Sequence, residues 1–196
     1  GVTHLLKPKA LIKYSPNHMR KDSNDFNLYG KNIFSVNRLN TNENFESGSN
    51  LTLGFDYEQF KNDNQLNFTI GQVINEKKTN KNMPSSSSLD KRFSDIVGSF
   101  NYKNKDIFNF NYNYALDQNF KETNYNEINT SYNFSNFKFN LDYLEEDKTS
   151  DSTEYVKTSF EYKKGDNGMF SFSNKRDLIR NASEYYDLSY EYINDC

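Results

Sequence analysis

Tryptophan is absent from the 196 residues, cysteine occurs once, as Cys196, and histidine only twice, as His4 and His18. A lone cysteine leaves no internal disulfide. Two histidines are too few for a histidine-based metal centre without carboxylate help. A Ser-His-Asp arrangement would need one of them beside a serine and an acid; His4 falls at a strand start and His18 in a long loop, and both read as surface side chains. No run of about 18 apolar residues exists, which excludes a membrane-spanning helix. Neither charge sign dominates: the net charge is -3 with both signs interspersed, so no basic face marks a nucleic-acid partner. Hydrophobic content is also low, at 34%, with a mean hydropathy of -0.99. Those values alone would suggest disorder, but 16% aromatic residues argue against it.

What the sequence has instead is alternation. In the segment 107–117, Phe108, Phe110, Tyr112, Tyr114 and Leu116 share one side, while Asn109, Asn111, Asn113, Ala115 and Asp117 share the other. Successive side chains of a β-strand point to opposite faces, so this segment has one aromatic and one polar face. A wall between lipid and water needs only every second residue to be apolar, which reconciles the low hydropathy with the aromatic content. The pattern predicts an all-β, antiparallel, up-and-down transmembrane β-barrel section of about ten strands. The abundant asparagine, with Lys, Ile, Phe and Tyr, is read as the mark of an AT-rich genome rather than of a function.

The expected strands lie at about 4–15, 48–60, 65–75, 94–102, 107–117 and 124–134. Four more carry Phe137, Phe139, Leu141 and Tyr143; Val156, Thr158, Phe160 and Tyr162; Phe170 and Phe172; and Tyr186, Leu188, Tyr190 and Tyr192. Short turns such as Ser135-Asn136 alternate with longer connections at 16–47, 76–93, 118–123, 145–152 and 175–183. Bacterial barrels have short periplasmic turns and longer outer loops, so the long set is assigned to the outside and both ends of the sequence to the periplasmic side. The segment 76–93, with Pro84 and the run Ser85 to Ser88, reads as a flexible breaker. No signal segment opens the sequence at Gly1, so it is expected to be part of a longer exported protein. Phe108, Phe110, Tyr112, Tyr114, Phe139, Leu141 and Phe172 are expected to face lipid, and Asn109, Asn111, Asn113 and Asn140 the lumen. Arginine at Phe110, taken as near the midplane, is expected to cost far more than arginine at Asn111.

Several motifs occur in a recognisable order. They are Asn32-Ile33-Phe34-Ser35-Val36-Asn37-Arg38-Leu39, then Phe45-Glu46-Ser47-Gly48 with the strand through Gly54. Before them stands Lys7-Pro8-Lys9 to Tyr14-Ser15-Pro16, and after them Ile70-Gly71-Gln72 and Ser94-Asp95-Ile96-Val97-Gly98. Together they resemble the LptD family, the outer-membrane LPS-assembly proteins, although Leu39 replaces the usual Phe and 40–44 lacks the usual Gly and Asp-Arg pair. Asn194-Asp195-Cys196 is similar to the stretch carrying that family's C-terminal cysteine. The resemblance implies that Asn32, Phe34, Asn37, Arg38, Glu46, Gly48, Gly54, Gly71, Gln72, Asp95 and Gly98 are family-motif residues. It implies that 1–196 is barrel alone, without the N-terminal jelly roll and the closing strands, in the outer membrane of a Gram-negative bacterium. Its cargo would be lipopolysaccharide, with a plug lipoprotein of the LptE kind in the lumen and a periplasmic bridge protein reached through the N-terminal domain. It also implies a disulfide from Cys196 to a cysteine outside this segment. No cofactor and no catalysis are expected.

Other chemistry is weaker. Glu145-Glu146-Asp147 with Asp151 suits a divalent cation, but an acidic run is more simply a solvated loop. Lys77, Lys78 and Lys81 suit anionic groups of the outer leaflet, with a solvated loop again the simpler reading. The mid-strand glycines Gly54, Gly71 and Gly98 suggest either seats for the plug or barrel curvature. The alternative functions are a passive porin or receptor barrel and, further off, a secreted adhesin. A porin should fold inward a constriction loop with arginines facing acids, and 16–47, the candidate cap of the lumen, is poor in arginine.

Overall fold

The period-two segments pair with their sequence neighbours. In the computed structural model, residues 1–16, 18–21, 26–39, 45–147, 152–165 and 167–192 are described. The strands are β1 (Val2–Ser15), β2 (Gly48–Lys61), β3 (Asn64–Thr79), β4 (Lys91–Phe93), β5 (Ile96–Asn104) and β6 (Phe108–Leu116). They continue as β7 (Thr123–Phe134), β8 (Phe137–Glu146), β9 (Thr153–Lys164), β10 (Gly168–Asp177) and β11 (Ala182–Tyr192). All join one antiparallel sheet in sequence order, except that the short β4 pairs with the far end of β3, beside β5. The extra strand is the difference from the ten expected. Short turns close one end of the sheet, and three of them place a non-glycine residue at positive φ: Asn62, Lys105 and Ser135. Among the described residues β1 pairs only with β2 and β11 only with β10, so the sheet has two open edges. Unpaired edge groups template aggregation, so this segment alone should not persist as a soluble monomer.

Register fixes the faces, because directly opposed residues share a side. One continuous row runs Leu6, Tyr57, Phe68, Phe100, Tyr112, Ile128, Tyr143 across seven strands. The row on the other side reads Lys7, Asp56, Thr69, Ser99, Asn113, Glu127. The expected division therefore holds: Phe139, Leu141 and Phe172 share the aromatic face, and Asn140 lies opposite Ser131 on the polar face. Aromatic pairs tie neighbouring strands, as in the edge-on contact of Phe137 and Phe160 at 4.6 Å. Each such pair adds about 0.5–1.5 kcal/mol beyond burial. Large apolar side chains nevertheless stay uncovered on this face, Leu6 at 61% and Leu188 at 67% exposure among them. Such a surface is a liability in water and matches hydrocarbon.

The long connections differ from expectation in informative ways. Strand β3 runs on to Thr79, and what looked like a flexible breaker is a tight, buried fold: a 3-10 turn at Ser85–Ser87, with Ser86, Ser87 and Ser88 all buried. The serine hydroxyls replace missing backbone partners. Ser87 Oγ donates to the Pro84 carbonyl at 2.7 Å and accepts from Leu89 N, and Ser88 Oγ accepts from Asp95 N at 2.8 Å. The expected loop 175–183 shrinks to residues 178–181, because β10 reaches Asp177 and β11 begins at Ala182. Glu145 and Glu146 belong to β8 rather than to a loop.

The buried apolar cluster lies on the polar face, at the end bearing the long connections. Met19, Phe26, Leu28, Ile33 and Leu39 come from the first connection and Met83 and Leu89 from the second; they meet Val73, Val97 and Ala115 of β3, β5 and β6. Those three strand residues are where the polar side of the alternation turns apolar, and there the two connections fold inward.

Candidate functional site: a strap across the polar face

Residues 26–39 cross the polar face as a strap. Its middle is a turn folded by Asn32, whose side chain accepts from Tyr29 N and donates to the Asn27 carbonyl, both at 2.9 Å. Backbone bonds from Asn32 and Ile33 N to the Tyr29 carbonyl complete it. The turn sets Gly30 against Ser99 of β5 and brings Ile33 and Phe34 down onto Gly54 and Gly71. Those two glycines stand directly opposite each other in β2 and β3. A Cβ on Gly54 would lie 2.1 Å from the Ile70 carbonyl oxygen and 2.8 Å from Phe34 Cζ. Lys9 of β1, paired with Asp56, sits 5.2 Å from the Phe34 ring centre, a cation–π distance.

One end of the strap is fastened by a buried ion pair. Arg38, with its side chain fully buried, donates from Nε and Nη2 to the two Glu46 oxygens at 3.0 and 2.9 Å. Its Nη2 also reaches Asn50 Oδ1 at 2.6 Å, and Nη1 reaches Thr52 Oγ1 at 3.4 Å. Glu46 further accepts from Lys13 Nζ at 3.0 Å and Asn50 Nδ2 at 2.8 Å. Burial lowers the Arg38 pKa and Glu46 opposes that shift; a guanidinium stays charged nonetheless. Asn37 Oδ1 accepts from Leu39 N, and Gly48, at φ 97, turns the chain into β2. At the other end Asn27 donates to Glu146 of β8.

The second connection is held by Gln72 and Asp95. Gln72 Nε2 donates to the Ser94 carbonyl at 3.0 Å, and Asp95 accepts from Asn124 of β7 at 2.9 Å. Ser94 is clipped to Val73 twice, through backbone N and through Oγ. Asn82 donates to the Met19 carbonyl, joining the two connections.

With Gln72 set opposite Leu53 on the aromatic side of β3, the structure brings Asn32, Phe34, Asn37, Arg38, Glu46, Gly48, Gly54 and Gly71 into one assembly, with Asp95 beside it. Gly98 does not belong there. It faces the aromatic side, where a Cβ would meet Tyr114 Cζ at 2.4 Å, so the ring fills the place a side chain would take. The reading of the mid-strand glycines as plug seats is corrected accordingly, since Gly54 and Gly71 are covered by the chain's own Phe34 and Ile33. Lys13, Asn50 and Thr52 were not singled out from the sequence, although their i, i+2 spacing puts Asn50 and Thr52 on the polar side of β2. The first connection, though poor in arginine, does fold inward with Arg38 facing an acid; unlike a porin constriction, the pair is buried and lines no opening. Glu145 accepts from Asn126 Nδ2 at 2.7 Å, while Asp151 and Cys196 lie outside the described residues.

Away from the strap the polar face stays open. Between β6 and β9 a shallow groove of about 240 Å³ is lined by the amides of Asn109, Asn129 and Asn140, by hydroxyls including that of Ser159, and by one charge of each sign, Asp142 and Lys157. Such groups can both donate to and accept from sugar hydroxyls.

Gly54→Ala should destabilise this region by about 1–3 kcal/mol, the usual range for overpacking. Gly71→Ala should cost less, its closest approach being 3.1 Å to the movable Ile33 Cδ1. Adding Phe34→Ala should not rescue Gly54→Ala, because the tightest contact is backbone; heat-induced loss of the folded band on electrophoresis reads all three.

No individually curated protein matches the sequence. The family model described as LPS transport system D matches residues 1–167. With the antiparallel sheet and its two unlike faces, that match settles the affiliation: the chain belongs to the LptD family of outer-membrane β-barrel proteins, which serve lipopolysaccharide transport and assembly.

Proposed function

We propose that this chain is wall, polar lumen and loop cap of a barrel that inserts lipopolysaccharide into the outer leaflet. The observation that supports this is the strap. A polar face closed at its long-loop end by a fastened segment, and open further down, lets a sugar chain enter from the periplasmic side without opening a pore to the medium. The amide-rich groove between β6 and β9 would carry the sugar past the wall, while the aromatic face meets hydrocarbon. A plug lipoprotein would occupy the open polar face, and a jelly-roll domain of the longer protein would receive cargo from the periplasmic bridge. Depleting the full-length protein should stop newly made lipopolysaccharide from reaching the cell surface while its synthesis continues. Normal delivery after depletion, or large steady conductance of the purified protein in planar bilayers, would instead favour a porin.

Cys196 enters this reading as one half of a disulfide to a cysteine elsewhere in the longer protein. The periplasm is oxidising, so an unpaired thiol there is unexpected. Cys196→Ser should change the mobility of the full-length protein on non-reducing electrophoresis; unchanged mobility would remove the linkage from the proposal.

A further inference from the structure

Two turns at the long-connection end share a plan in which the strap has no part. Between β6 and β7, Asp117 Oδ1 accepts from Asn119 N at 2.5 Å and from Lys121 N at 3.4 Å, and Phe120 N donates to the Asp117 carbonyl at 2.9 Å. Between β10 and β11, Asp177 Oδ1 accepts from Arg180 N at 2.8 Å. Each acid thus fixes a turn whose tip carries a large apolar side chain: Phe120, 69% exposed, and Ile179, 53% exposed. A cation follows each tip residue, Lys121 and Arg180, the latter 3.7 Å from Asp177. Glu122 comes next after Lys121, so neither turn is net positive. Phe120 sits at φ 58, a left-handed conformation that suits glycine or asparagine and penalises a bulky side chain. Among the described residues its ring has no ring partner and stands outside the buried cluster, so no internal packing offsets that strain. An outlier held in place at an exposed tip points to a task outside the fold.

Both turns, residues 117–122 and 178–181, are too short to fold across the polar face as the first two connections do. They stand on the rim where the aromatic side ends, at Leu116 opposite Ile96 and at Val156 opposite Arg176. We propose that Phe120 and Ile179 are fixed anchors, seated at the boundary between headgroups and hydrocarbon in the membrane around the barrel. Continuity with the aromatic face selects this occupant, and an apolar side chain next to a cation is the pairing that settles at such a boundary. The aspartate bonds order both turns in advance, so that seating the tips costs little further ordering. Two anchors on different hairpins set the height of this sector of wall and oppose its tilting. The inference rests on the outer-membrane placement of the family and asks nothing of the lipid's chemistry or of any cargo.

The test uses the full-length protein in phosphatidylcholine vesicles, exposed to hydroxyl radicals generated in the water, with oxidation assigned to single residues by peptide mass spectrometry. Phe120 should be oxidised at least about threefold more slowly than Phe45, and Ile179 at least about threefold more slowly than Val36, both comparison residues being exposed in the first connection. Equal rates within either pair would overturn the proposal. Phe120→Trp, read as a difference spectrum against the parent, should be quenched more by phosphatidylcholine brominated near the headgroup than by the same lipid brominated at the chain ends; absence of quenching would overturn it too. Phe120→Gly relieves the backbone, so in detergent its folded band should survive to at least the parent's temperature. Earlier loss would mean that the ring packs against protein, which contradicts an anchor. Tips protected in whole cells but not in vesicles would belong to another macromolecule, and the lipid assignment would fall. None of these readouts involves lipopolysaccharide delivery: the anchors can fail while depletion still blocks delivery, and the tips can insert while depletion leaves delivery intact.

Discussion

Arg38→Met should release the strap at a cost of about 3–5 kcal/mol, the penalty for leaving a buried charge without its partner. Glu46 would keep Lys13 and Asn50 but lose the bidentate guanidinium in a site that is 2% exposed. The expected readout is amide exchange in residues 26–39 of the full-length protein, faster by at least about a hundredfold, since each 1.36 kcal/mol is a factor of ten. The double variant Arg38→Met with Glu46→Leu should be less damaging than either single change, because it removes the buried Arg38–Glu46 pair whole and leaves only the part-buried Lys13 without its carboxylate. A double variant as damaging as the sum of its parts would mean that the network's geometry, rather than its charge balance, holds the strap. If the strap also seals the lumen, cells carrying Arg38→Met should admit large antibiotics that the parent excludes.

The second large effect lies on the opposite face. Phe100 is the central residue of the nine in β5 and stands between Phe68 and Tyr112 on the aromatic side. Phe100→Arg should cost about 2–4 kcal/mol, as for a cation placed at the bilayer midplane. Phe110 is a weaker probe than its place in the sequence suggested, because the register sets it opposite Tyr102, nearer the short-turn end, where the cost falls. Asn111→Arg, on the polar side among Asn101 and its neighbours, should cost little. Refolding the full-length protein into lipid vesicles across a denaturant series measures all three. Equal costs at Phe100 and Asn111 would reject the assignment of lipid to the aromatic face.

The strands were legible because period two survives any composition, and each turn kept its own signature of Asn, Asp, Ser or Gly. The errors arose where tertiary contacts reversed a local tendency. Four serines in a row signal a mobile loop when read alone; here their hydroxyls bond Pro84, Leu89 and Asp95, and that satisfaction permits burial. Arg38 and Glu46 stand eight residues apart across a connection, and no periodicity announces such a pair. Family resemblance marked both residues, but the fastening itself needed Asn50 and Thr52 from the next strand. Gly98 shows the opposite limit: the same residue type as Gly54 and Gly71 sits on the other face, and only register assigns the side.

The strap has a mechanical consequence. Its fastenings run from Glu146 of β8, past Ser99 of β5, to Gly54 and Gly71, and end at Glu46 held by Lys13 of β1. It is therefore a bowstring drawn across an arc of wall, and an arc under a bowstring can neither flatten nor splay until the string is let go. Any widening that admits a bulky sugar while the string is tied must take place beyond β8. The motif residues of 32–54 would then confer stiffness on one sector of the wall, leaving compliance to the rest.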